Sequence, residues 1–237
     1  MLLERGHVML DPKFLEFLDE RYGIKFNDKK LVERAMTHSS FDNEHKELGI
    51  GDYERLEFLG DAVLEINISR YLFKKYPELP EGKLTRLRSD IVRTDSFARF
   101  AKEINIDKYL LIGKGEEKQG ARQRHTLLED IFEAFNGALY LDQGNEVVNE
   151  FLKKVVYPHI DSGEFSEDTD FKTHLQEKLQ QSGEVEIDYK VIDEEGPDHD
   201  KKFKVELIAN GKILSKGLGY SKKHAEQMAA KRALEEL

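Results

Sequence analysis

The spacing of apolar residues changes once along this chain, and that change divides it into two separate folding problems. From Pro12 to Tyr157 they recur at three- and four-residue intervals, as in Phe14, Leu15, Phe17, Leu18 and in Leu56, Leu59, Val63, Leu64. That is the period of amphipathic helices. Breaks at Tyr22-Gly23, Gly49 to Asp52, Pro77 to Gly82, Gly113 to Gly120 and Gly144-Asn145 leave room for about seven of them. The first part is expected to be all-α.

Past Tyr157-Pro158 the stretch Asp161 to Asp168 is polar, acidic and poor in apolar residues, the composition of a linker. A helix from Phe171 to Gln181 follows. Period-two alternation then marks strands around Tyr189 to Ile192, Lys202 to Ala209 and Ile213 to Gly219, before a closing helix from Ser221 to Leu237. Asn210-Gly211 between two alternating runs predicts a type I′ hairpin, because both residues tolerate positive φ, so the sheet is antiparallel. Ala225, Ala229, Ala230 and Ala233 supply small contacts for a helix lying close on that sheet. The expected organisation is an all-α domain over residues 1–160, a linker over 161–168, and a small α+β domain over 169–237 in the order α-β-β-β-α.

Composition narrows the chemistry. The chain has no cysteine, which removes disulfides, thiolate metal sites and a cysteine nucleophile and leaves oxygen or imidazole as the only metal ligands. No run of about 18 apolar residues offers a membrane span, and the opening Met1 to His7 is too short and charged for a secretory signal. A cytoplasmic protein without membrane contact is expected. The net charge of -10 argues by itself against nucleic acid as a partner. Acidic residues outnumber basic ones even from Asp170 onward, so any phosphate contact must come from a local cluster such as Ser221-Lys222-Lys223-His224.

The most informative stretch is Glu54-Arg55-Leu56-Glu57-Phe58-Leu59-Gly60-Asp61-Ala62-Val63-Leu64. On a helix Glu54, Glu57 and Asp61 fall within an arc of about 60°, while Leu56, Leu59, Val63 and Leu64 mark the buried side. A second pair, Asp130 and Glu133, interrupts another apolar helix. Two such helices packed together would gather four or five carboxylates, which repel one another and raise one another's pKa unless a cation neutralises them. Mg²⁺, with Mn²⁺ able to substitute, suits such ligands, and ions of this type activate water and neutralise phosphate charge in phosphodiester hydrolysis. A solvated acidic face is the plainer account of any one of these acids, and the joint pattern argues against it. Phe58 lies among the acids instead of on the apolar rows, as either an ordinary core residue or an exposed aromatic beside the site. His38 and His125 are read as structural or capping residues, and Arg86, Arg88 and Arg93 as a solvated helix face close to Glu81.

Glu54 to Leu64 resembles the signature of the ribonuclease III family. Asp130-x-x-Glu133-Ala134, followed by Gly137-Ala138-x-Tyr140-Leu141-Asp142-x-Gly144, resembles its second acidic motif, and Thr37-His38-x-Ser40 and Glu81-Gly82 extend the likeness. The resemblance implies a dimeric endoribonuclease that cuts both strands of double-stranded RNA, leaving 5′-phosphate and 3′-hydroxyl ends with a short 3′ overhang. It implies that Glu57, Asp61, Asp130 and Glu133 hold the metal, that Glu54 and Glu81 are supporting acids, and that Phe58 enters a cavity on the partner of a homodimer. No organic cofactor is expected. Roles in ribosomal RNA precursor processing and messenger RNA processing and turnover follow from the same resemblance. Two departures stand out: Glu129, where the family more often has a small residue, adds negative charge, and Asn136 is polar where an apolar residue is usual.

The α-β-β-β-α order, the loop Gly196-Pro197-Asp198-His199 and the helix opening Ser221-Lys222-Lys223-x-Ala225-Glu226 resemble the double-stranded-RNA-binding domain. By that resemblance Ser221, Lys222 and Lys223 meet phosphates at a helix N-terminus. Thr173, Gln176, Glu177 and His199 then reach two successive minor grooves, reading A-form shape. Acids at Asp193 to Glu195, Asp198 and Asp200 are atypical of a phosphate binder and imply modest, salt-sensitive affinity.

Two other readings are weighed. A non-catalytic RNA-binding protein of the same fold would have lost some of the acids, and all are present. A metal-storage or oxygen-activating carboxylate protein would carry Glu-x-x-His pairs, and neither acidic motif has one.

Overall fold

The computed structural model describes residues 10–165, 171–181, 183, 185–195, 202–219 and 222–237. The chain divides into two compact units, one up to His159 and one from Ile160 onward. Among the described residues no helix is long and apolar enough to cross a membrane.

The first unit is helical: α1 (Pro12–Tyr22), α2 (Lys29–Ala35), α3 (Ser39–Glu44), α4 (Glu54–Lys75), α5 (Glu81–Ile91), α6 (Thr94–Glu103), α7 (Ile106–Tyr109), α8 (Lys114–Lys118), α9 (His125–Gln143) and α10 (Asn145–Val155), with α11 (Tyr157–Asp161) at its end. Seven of these have seven residues or more. The others are single turns that fill the loops, too short to leave a periodic signal in the sequence.

Local chemistry sets the boundaries. Asp11 caps α1 by accepting the Lys13 N–H at 3.0 Å, Pro12 supplies the first helical residue, and Gly23 at φ 73° ends the helix. Asp142, near the end of α9, accepts the N–H groups of Asn27 and Asp28, both at 2.8 Å, and so fastens the C-terminal end of α9 to the start of α2.

Helix α9 is the centre of this unit. Leu127, Leu128, Ile131, Phe132, Ala134, Phe135, Ala138 and Leu139 are all buried, and rings from other helices pack on it: Phe97 of α6 against Phe132 at 5.3 Å and Phe151 of α10 against Phe135 at 5.4 Å between centroids. Its longest contact is with α4, and there the two backbones meet without side chains between them. A Cβ at Gly60 would overlap the carbonyl of Glu133, and one at Gly137 would overlap the carbonyl of Leu56. Only a glycine on each helix permits so close a crossing.

The second unit contains α12 (Phe171–Gln180), the antiparallel sheet β1 (Ile187–Glu195), β2 (Lys202–Ala209) and β3 (Lys212–Gly219) in that spatial order, and α13 (Lys222–Glu236). Asn210 and Gly211 have φ of 50° and 76°, as the type I′ hairpin requires. Strand β1 is longer than alternation alone indicated. Past a bulge between Val191 and Asp193 its acidic end pairs with β2, Glu195 lying opposite Lys202, so complementary charge and ladder hydrogen bonds extend a strand whose apolar pattern has stopped. Leu175, Leu207, Ala229, Ala230 and Ala233 form the core. The small face of α13 lies against Gly217, where a Cβ would overlap the backbone of Ala225.

Gly60→Ala is expected to destabilise the chain by about 3 kcal/mol, the upper end of an overpacking cost. Gly82→Ala, whose Cβ meets nothing within 4 Å, should be neutral or stabilising by up to about 1 kcal/mol. Thermal unfolding of the two variants side by side measures both.

Candidate functional site

The close crossing of α4 and α9 decides where the acids go. Glu57 and Asp61 flank Gly60 on α4, and Asp130 and Glu133 lie within two turns of Gly137 on α9. The four carboxylates are consequently near enough to perturb one another. Glu133 is pushed up to about 8, first by burial and then by Asp61, Glu129, Glu57 and Asp130. Burial, with Asp130, Glu54, Glu129 and Asp61, likewise raises Glu57. Asp130 is raised by burial, an effect opposed by a hydrogen bond from Tyr53 and by the nearby His38.

Glu54 begins α4 exposed to solvent and acts on Glu57 and Tyr53 through its charge. Glu129 joins the group: it is raised by burial and by Asp130, Asp95 and Asp61, with a hydrogen bond from Thr94 pulling the other way. Asn136 is fully buried; its Nδ2 donates to the Phe132 carbonyl at 2.8 Å, while its Oδ1 is buried with no hydrogen-bond partner among the described residues.

The chemistry of this donor set fits a hard divalent cation. Glu57, Asp130 and Glu133 are each raised first by burial, and a hard divalent cation favours the charged form of oxygen ligands of this kind. Among the described residues no three His, Asp or Glu side chains are gathered closely enough to hold a metal ion as they stand. Rotation of the Glu57 and Glu133 side chains about their torsions would be needed to bring these carboxylates to one ion.

Glu81 stands elsewhere in the protomer. It opens α5, accepts the Thr85 hydroxyl at 3.1 Å and lines a cavity of about 560 Å³ between α4 and α5 with Ile66, Leu72, Phe73, Leu79 and Leu84. Ser69, which also lines it, is eight residues beyond Asp61, about 12 Å along the helix. Phe58 is 82% exposed on α4, and Ile66 and Phe73 of the same helix are 62% and 72% exposed. They fall within about 80° of one another around the helix, so an apolar stripe faces outward.

The histidines are structural in their contacts. His38 caps α3, its Nδ1 accepting the Ser40 N–H at 3.2 Å, and His125 pairs with Asp95 at 2.8 Å. Arg88 donates to Ser69 Oγ at 3.0 Å, and Arg93 lies 3.6 Å from Asp90. Sequence reasoning did not single out Tyr53, whose hydroxyl donates to Asp130 Oδ2 at 3.1 Å. Its position directly before the acidic helix was the available signal.

In the second unit Thr173, Gln176 and Glu177 are exposed on one face of α12. Lys222 and Lys223 are exposed at the start of α13. Lys222 lies 3.3 Å from Glu194 of the acidic strand end and 5.7 Å from the centroid of the Phe203 ring. The predicted contacts His199 and Ser221, with the loop Gly196 to His199, lie outside the described residues.

Comparison with known proteins adds the following. A family model described as Ribonuclease-III-like matches residues 28–160, and one described as Double-stranded RNA binding motif matches residues 171–237. The chain is 58% identical over 228 residues to Ribonuclease 3 of Latilactobacillus sakei and 55% identical over 228 residues to Ribonuclease 3 of Enterococcus faecalis, covering 96% of this chain and 99% of each relative. Among solved structures it is similar to the nuclease domain of ribonuclease III from Campylobacter jejuni, in a study of flexibility in the region involved in dimer formation. That match has a TM-score of 0.57 and 34% identity, over 62% of this chain and 99% of that one.

Glu133 binds its proton more tightly in the folded chain than in the unfolded one. From the ordinary carboxylate range up to about 8 folding therefore takes up a proton, and stability falls as pH rises; above that the cost is complete. Glu133→Gln carries no charge. In EDTA it should melt about 2–4 °C above the wild type near pH ~8.5 and lose that advantage near pH ~5, as thermal scans across pH would record.

Proposed function

The chain belongs to the ribonuclease III family, and from that premise we propose that it hydrolyses both strands of double-stranded RNA at the α4–α9 crossing, leaving 5′-phosphate and 3′-hydroxyl ends. As a member of this family it is an endoribonuclease acting on double-stranded RNA. In our reading the endonuclease unit is residues 1–160, joined by residues 161–168 to the RNA-binding unit, residues 169–237. The observation that supports the site assignment is that, beyond the effect of burial, charges on one helix raise carboxyls on the other, Asp130 of α9 acting on Glu57 of α4 and Asp61 and Glu57 of α4 acting on Glu133 of α9, where the two helices cross at Gly60 and Gly137.

Glu57, Asp61, Asp130 and Glu133 would hold Mg²⁺, or Mn²⁺ in its place. When bound, such ions polarise phosphate oxygens and activate water for attack on phosphorus. The residues of the chain supply the rest. Glu133, half-buried on α9, would be restrained by its surroundings, and Glu54, exposed at the start of α4, would assist at the scissile region. Glu81 is the further supporting acid, at the cavity between α4 and α5.

The second unit would grip the RNA duplex. Lys222, Lys223 and Ser221 would contact phosphates at the start of α13, and Thr173, Gln176, Glu177 and His199 would contact minor grooves. Glu194 beside Lys222 competes with phosphate for that lysine, in keeping with a salt-sensitive grip.

Two copies give two sites, one for each strand. The outward stripe of Phe58, Ile66 and Phe73 is an apolar face of the kind a homodimer buries, and the cavity between α4 and α5 is the receptor we assign to Phe58 of the other copy. The cellular work proposed is ribosomal RNA precursor processing and messenger RNA processing and turnover in the cytoplasm.

End-labelled duplex RNA incubated with Mg²⁺ should be cut in staggered pairs by the wild type and left intact in EDTA. Glu133→Gln should bind the same duplex yet cut it about 100-fold more slowly or worse, a loss of several kcal/mol from the transition state. Binding without cutting by the wild type in both Mg²⁺ and Mn²⁺ would instead favour a non-catalytic duplex binder. Phe58→Ala should weaken the dimer by about 2 kcal/mol or more, seen as dissociation to monomers at low concentration in sedimentation velocity. A dimer of unchanged affinity would remove Phe58 from the interface.

A further inference from the structure

Tyr53 holds the two acidic helices at once. Its carbonyl accepts the N–H groups of Leu56 and Glu57, at 2.8 and 3.0 Å, and so opens the helix that carries Glu57 and Asp61. Its phenolic O–H reaches across to α9 and donates to Oδ2 of Asp130 at 3.1 Å. The ring between these two contacts is buried, with 8% exposure.

The loop ahead of α3 fixes it there. The Tyr53 N–H donates to the Thr37 carbonyl at 3.1 Å, and the His38 imidazole stacks on the phenol ring at 6.0 Å with 26° between planes. His38 is itself held, its N–H donating to the Leu111 carbonyl at 2.9 Å and its Nδ1 lying 2.7 Å from the Ser40 hydroxyl. The Thr37-His38-x-Ser40 segment, for which the proposed chemistry has no other use, is thereby given one: it immobilises Tyr53.

We propose that Tyr53 is a positioning residue for Asp130, its hydroxyl fixing one carboxylate oxygen so that the other is presented to the divalent cation. An aspartate carboxylate rotates easily about its terminal torsion, and among the described residues no other hydrogen bond restrains this one. A phenol, with an ordinary pKa near ~10, stays protonated at neutral pH and can only donate to a carboxylate. A hydrogen bond of this kind orients a ligand ahead of metal binding, and its loss costs about 10- to 100-fold in metal affinity or activity.

The inference rests on the reading of Asp130 as a metal ligand, and the test separates the two. Mn²⁺ binding to the full-length protein without RNA is followed by electron paramagnetic resonance of the free ion, for wild type, Tyr53→Phe, Asp130→Asn and the double variant. Tyr53→Phe keeps the ring and its stack on His38. It should bind Mn²⁺ about tenfold more weakly and need correspondingly more Mg²⁺ for half-maximal cleavage, with the rate recovering at saturating Mg²⁺. In the Asp130→Asn background the same change should add less than about twofold, because the group it orients is gone. Mn²⁺ affinity unchanged in Tyr53→Phe but lost in Asp130→Asn, with or without a fall in melting temperature, would make the bond merely structural and overturn the proposal. Unchanged affinity in Asp130→Asn would remove Asp130 from the metal site, and the proposal with it.

Discussion

Everything in the larger unit depends on how closely α4 and α9 can approach. The two helices are backbone to backbone at Gly60 and Gly137, each glycine facing a carbonyl of the other helix. Dispersion between atoms falls off steeply with separation, so this contact is available only at a distance that no larger residue allows. It also carries the chemistry. The acids lie within two turns of the glycines, and any widening of the crossing would separate Glu57 and Asp61 from Asp130 and Glu133.

That closeness has an electrostatic cost. The half-buried carboxyls of Glu57, Asp130 and Glu133 are raised above their usual range, Glu133 most of all. The rest of the unit is built to tolerate this. Phenylalanines from α6 and α10 pack on α9 behind the acids, Asp142 ties down its far end, and Tyr53 supplies a donor to Asp130 within the cluster. A site under such strain is a natural place for divalent cations, since neutralising the cluster stabilises the fold by mass action.

The apolar stripe on α4 illustrates a different balance. Phe58, Ile66 and Phe73 belong to a helix whose opposite side is fully buried, so the helix is apolar on two faces. Periodicity alone cannot distinguish a helix that is buried all round from one that keeps a face for a second chain. The sequence placed Phe58 among the acids and off the apolar rows, and in the fold that position points outward. In the smaller unit the alternating runs, the Asn210-Gly211 turn and the alanine face of α13 were legible because each is a local pattern with one geometric solution. The acidic end of β1 was not legible, since its pairing is decided by Lys202 and Phe203 on the neighbouring strand.

By itself the sequence determined the helical and alternating periods, the break between the two units, and the two helices whose acids interrupt an apolar face, because these follow from neighbours a few residues apart along the chain. It could not show that Tyr53 would reach Asp130, that Glu129 would join the cluster, that Glu81 would stand at a cavity apart from it, or that Lys222 would meet Glu194. Those pairs join residues from 20 to nearly 80 positions apart, or depend on which way a helix face turns. Only the tertiary structure decided them, because the Gly60–Gly137 crossing and the register of the sheet, not the local pattern, set the distances over which charges and hydrogen bonds act.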